Sequence, residues 1–143
     1  MTEETKQVLK AHHSMDFATA EFERMAELRD IDLDEDDLDA EELSELKRLK
    51  KKVVKAIASN VISIDDDGQI TITMRKSSHI NSVTFKVRDG ASILAMDKHK
   101  ESQTMHKLFS MMACLTGTAV PTFSKMVDPD LGLCVSVMKL LMG

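Results

Sequence analysis

Ile70-Thr71-Ile72-Thr73-Met74-Arg75 and, beyond a polar turn from Lys76 to Ser82, Val83-Thr84-Phe85-Lys86-Val87-Arg88 alternate apolar with polar side chains. A two-residue period sends successive side chains to opposite faces of a pleated strand, so both stretches read as half-buried strands of one β-hairpin. Just upstream, Val61 to Asp65 closes on Asp66-Asp67-Gly68. It reads either as a third strand or as a lead-in, since Asp-Gly is a turn signal. On both sides of this region the apolar period lengthens to that of a helix. Helical and extended patterns kept apart along the chain predict an α+β fold. The expected order is an N-terminal helical hairpin, one β-hairpin, then three to four short helices packed on it.

Toward the amino terminus, Val8, Ala11, Met15, Ala18, Phe22 and Met25 recur every three or four residues and write one stripe on a helix expected from Glu3 to Arg29. Asp30 to Asp37 reads as a solvated acidic connector. Asp39-Ala40-Glu41-Glu42 is a capping signal for a second helix, whose stripe is Leu43, Leu46, Leu49 or Lys50, Val53 and Ile57. Toward the carboxy terminus, Ile93, Leu94 and Met96 open a further helical stretch. After the polar run Asp97 to Thr104, the stripe continues through Met105, Leu108, Phe109, Met112 and Leu115, with Gly117 a natural left-handed cap. Pro121 opens a short helix through Met126. Asp128-Pro129-Asp130 restarts the chain with Asp128 as the expected N-cap, and the last helix, Leu131 to Leu141, is apolar on nearly every face. Two parts follow: residues 1–60 as a helical extension with the acidic connector, and residues 61–143 as a unit expected to fold by itself.

The chain has 143 residues, the size of one ordinary domain, with a formal net charge of −5. The charge is polarised. Asp30 to Glu45 carries ten acidic residues and no basic one, whereas Lys47 to Lys55 carries six basic residues and no acidic one. An acidic chain with no Trp and no Tyr lacks the basic groove and stacking platforms that single-stranded nucleic acid requires, so no nucleic-acid partner is expected. Leu131 to Met142 is too short to span a bilayer and contains Lys139. Met1 to Thr5 has neither the basic flank nor the apolar core of a secretory signal, so a cytoplasmic location and no membrane partner are expected. Cys114 and Cys134 lie in apolar runs without a second ligand at metal spacing and read as reduced, buried thiols.

In the same order, the carboxy-terminal half resembles the tail assembly chaperones of long-tailed bacteriophages. The matching features are the strand Ile70 to Met74, a second strand closing on Arg88, a helix ending in Leu115-Thr116-Gly117, a short Phe123/Met126 segment, and a terminal apolar helix opened by Asp128-Pro129. The match covers about residues 69–143, and it departs from the family's pattern at Gly90, where a proline is usual. The resemblance implies a protein made in the host cytoplasm and absent from the mature virion if a chaperone. It would bind and solubilise the tape measure protein and help recruit tail tube subunits around it, as a homo-oligomer. A permanent part of a tail or baseplate, and an adaptor or regulator dimerising through its N-terminal helix, are the alternatives.

No catalytic constellation is visible, so no enzyme and no cofactor are expected. Asp30, Asp32, Asp34, Asp36 and Glu41 fall at calcium-loop positions, but Glu35 stands where the hinge glycine is needed. His12 and His13 point in different directions on a helix, while His79, His99 and His106 lack the further ligands of a metal site. Cys114 and His106 sit two helical turns apart, beyond hydrogen-bond reach. The many methionines among residues 96–142 read in part as a loosely specified core and in part as an adaptable apolar surface. Met105, Leu108, Phe109, Met112, Leu131, Val135, Met138 and Leu141 are the expected partner-binding residues, lining a groove for an amphipathic helix between the Met-rich and terminal helices.

Overall fold

The computed structural model describes residues 13–31, 33–36, 38–87 and 105–141, with side chains in the last stretch described from 108 onward. The expectations that fall on Glu3 to His12, Asp32, Asp37, Arg88, Gly90, Ile93, Leu94, Met96, the run Asp97 to Thr104 including His99, and Met142 lie outside the described residues. So do those for the side chains of Met105 and His106.

Helix α1 (Met15–Leu28) starts at Ser14, whose Oγ accepts the Phe17 N–H at 3.1 Å. It turns off at Asp30 in the left-handed region (φ 55°), a conformation that Asp tolerates better than most residues. Helix α2 (Ala40–Ala58) starts where the capping signal places it, the Asp39 carboxylate accepting the Glu42 N–H at 2.8 Å. The two form the expected helical hairpin. Ala18, Phe22 and Met25 of α1 and Leu49, Val53 and Ile57 of α2 are buried. The α1 stripe is therefore consumed inside its own chain, and among its described members only Met15, 51 % exposed, remains for a dimer seam.

After a turn at Asn60 (φ 63°), the chain enters an antiparallel sheet of β1 (Ile62–Ile64), β2 (Ile70–Thr73) and β3 (Ser82–Phe85), in that order. The stretch from Val61 thus supplies a third strand. Ile62, Ile72 and Val83 stand opposite one another, as do Ile70 and Phe85, which makes one face a wall of the core. The other face carries Ser63, Thr71, Thr73, Ser82 and Thr84, and the Thr71 and Thr84 hydroxyls lie 3.0 Å apart across the strands. Asp65 shapes the β1–β2 turn by accepting the N–H groups of Asp67 and Gln69, which lets Gly68 (φ 87°) pass beneath α1. A Cβ there would meet Leu28 Cβ at 3.0 Å.

Helices α3 (Met105–Thr116), α4 (Val120–Ser124) and α5 (Asp130–Leu141) complete the fold. Buried side chains from both sides of residue 60 share one core. One cluster of buried side chains includes Phe22 and Met25, Val53 and Ile57, the inner sheet face, and Met112, Phe123, Leu133, Val137 and Met138. Helix α5 packs chiefly against α2, so the part expected to fold alone takes one wall of its core from the helical extension. Arg29, at the end of α1, adds a polar tie: its guanidinium donates to the carbonyls of Gly68, Phe85 and Lys86 at 3.1, 3.0 and 2.7 Å. No helix among the described residues is long and apolar enough to cross a membrane.

Candidate partner-binding surface

Helix α3 rests on β3 and α4. The Lys86 N–H donates to the Leu115 carbonyl, Thr116 Oγ1 donates to the Met112 carbonyl at 2.7 Å, and Gly117 ends the helix at φ 66°. Leu115, Thr116 and Gly117 therefore act together as a stop, and a Cβ on Gly117 would press to 3.2 Å from Lys86 Nζ. Phe109 of α3 and Phe123 of α4 are tilted aromatic neighbours with centroids 6.4 Å apart.

The eight expected partner-binding residues divide by burial. Met112 and Met138 are wholly inaccessible and Leu141 nearly so. They are core of this chain and do not line a groove: α2 packs along α5, and β3 packs along α3. Helices α3 and α5 touch only lightly and so do not build the trough between them that their composition suggests. Leu108, Phe109, Leu131 and Val135 are half-buried and packed at the margin of the core. Met105 contributes backbone only to the description. Val127, 52 % exposed, continues the Leu131 and Val135 spacing one turn earlier and escaped the sequence reading.

The terminal helix begins two residues later than its expected cap. Asp128 is exposed and the Asp128–Pro129 peptide bond is cis, while α5 opens at Asp130. Asp130, 1 % exposed, turns its carboxylate to the β2–β3 turn and accepts the N–H groups of Arg75, Lys76 and Ser77 at 2.8, 2.9 and 2.7 Å. Burial pushes this carboxyl up, but the three backbone donors outweigh it and hold it below the ordinary 3.8. Two more ties bind the same turn. Ser77 Oγ accepts the Val127 N–H, and His79 Nε2 donates to the Thr122 carbonyl at 2.9 Å. A lone acid opening an apolar helix is a weak signal; its partners 53–55 residues earlier could not be read from spacing.

Cys134 is buried beside Met126 (Sγ to Sδ 3.9 Å), and burial, reinforced by Asp130, pushes its thiol up to about 12. Held as a thiol, it is no nucleophile. Cys114, expected to be buried, is exposed on α3. Among the described residues no three His, Cys, Asp or Glu side chains converge to hold a metal ion. No family model matches the chain, and no curated protein or solved structure matches it either.

Proposed function

We propose that this chain is a non-enzymatic tail assembly chaperone of a long-tailed bacteriophage. In this reading it keeps the tape measure protein soluble in the host cytoplasm, recruits tail tube subunits to it, and leaves before the virion is complete. The observation that carries the reading is the order of parts beyond residue 69. Strand, polar turn, strand, a helix stopped at Leu115-Thr116-Gly117, a Phe123 turn of helix and a closing apolar helix follow one another as separate elements β2, β3, α3, α4 and α5.

A tape measure helix would lie along Val127, Leu131 and Val135, spaced four residues apart at the start of α5, with its own apolar residues as anchors. Each fully covered anchor is worth about 1.5–3 kcal/mol before the cost of association. Val127→Glu leaves the core untouched and is expected to abolish co-purification with co-expressed tape measure protein while the melting temperature stays unchanged. Retained co-purification by a folded Val127→Glu chain would place the contact elsewhere. Finding the protein in purified virions at fixed stoichiometry would replace the chaperone reading with that of a permanent tail component.

A further inference from the structure

The face of α2 turned away from the core carries Glu41, Ser44 and Glu45 in its first half and Arg48, Lys51, Lys52 and Lys55 in its second. Leu49, Val53 and Ile57 on the opposite side hold the helix in the core, so this stripe cannot rotate out of solvent. Among the described residues the helix makes one ion pair, Glu45 to Arg48 at 2.8 Å, and no acid lies within ion-pair distance of Lys51 or Lys55.

From these placements we infer that α2 is a self-recognition surface, on which two copies of the chain pair their α2 helices antiparallel across a twofold axis near Arg48. The charge sequence is self-complementary only in that orientation. Glu41 then stands opposite the second copy's Lys55, and Glu45 opposite the second copy's Lys51. Arg48 lies at the axis already neutralised by its own Glu45. The stripe from Glu41 to Lys55 is about 21 Å long at 1.5 Å per residue, so two symmetric sets of pairs fit along it. A parallel arrangement would set lysine against lysine. Antiparallel helix dipoles add to the preference. An unrelated polyanion fits worse, because it would meet the acidic half of the same stripe and a net charge of −5. The inference does not rest on the phage reading.

Sedimentation of the full chain tests it. A dimer is expected at about 0.02 M salt, its dissociation constant rising at least about tenfold at about 0.5 M as exposed pairs are screened. Lys51→Glu with Lys55→Glu should be monomeric at low salt, and so should Glu41→Lys with Glu45→Lys. An equimolar mixture of the two should form a heterodimer, since at the four paired positions one stripe is then acidic and the other basic. If either double variant melts early, Lys55→Glu mixed with Glu41→Lys makes the same comparison through one pair of positions. A monomeric wild type at low salt, a dimer indifferent to salt, or a mixture that stays monomeric would each overturn the proposal.

Discussion

Helices α2 and α5 lie against each other, yet they differ in how much of each is used inside the chain. Helix α5 is buried at Leu133, Cys134, Val137, Met138, Leu140 and Leu141, so its sides are consumed by its own molecule. Helix α2 spends only the Leu49, Val53 and Ile57 side and keeps a polarised row of charges in water. An apolar surface all round a helix is thus no sign of a docking face when a neighbour from the same chain can cover it. An amphipathic helix always leaves one face unspent. Here that face has a charge order of its own.

The comparison breaks most completely if α2 is removed. Residues 61–143 alone would leave the α5 side chains that face α2 in water, each forfeiting about 1.5–3 kcal/mol, which exceeds what a small domain has to spare. That fragment is expected to aggregate or to show no cooperative thermal transition. A sharp melt would mean that α5 finds its cover elsewhere.

A single charge sharpens the same contrast. Met138→Glu places an uncompensated carboxylate where no solvent reaches, and should cost about 4 kcal/mol or more, enough to unfold most of the chain. Lys51→Glu, on the exposed side of α2, should stay within about 0.5 kcal/mol of wild type. Circular-dichroism melts of the two variants side by side measure the difference. Equal melting temperatures would remove Met138 from the core.

Asp130 offers the smallest and most specific effect. Its folded-state carboxyl is held low, so its stabilisation is complete above the ordinary value of 3.8 and disappears as pH falls through the lower folded value. Asp130→Asn should lose about 1–3 kcal/mol at neutral pH, and its stability should fall less steeply than that of wild type below pH of about 4. Acid titration of the two chains, followed by fluorescence of an added extrinsic probe or by circular dichroism, reads the slopes. Parallel slopes would show that Asp130 is not the titrating clamp.

What could be read from the sequence was what neighbours along the chain decide. The period of Ile70 to Met74 and Val83 to Val87, the Asp39 cap and the Gly117 stop all act within a few residues, and they stand where expected. The strand at Ile62–Ile64 was ambiguous because three residues are too few to display a period. What covers α5 depends on a helix more than seventy residues earlier, and a list of apolar positions does not say whether the cover belongs to the chain or to a partner. Met112 and Met138 were misjudged for that reason. Asp128 was a plausible cap, but the carboxylate with strong backbone donors in reach was Asp130.

Arg29 sets an order of events. It closes the end of α1 onto carbonyls 39, 56 and 57 residues farther along. On a ribosome α1 and α2 emerge first and can pair with each other, but of the three acceptors of the latch only the Gly68 carbonyl precedes β3, and the other two wait until Phe85 and Lys86 have left the tunnel. The sheet must therefore form before the amino-terminal helices are locked to it. Loop closure over that distance makes the latch a late event in folding, one that slows unfolding more than it speeds folding.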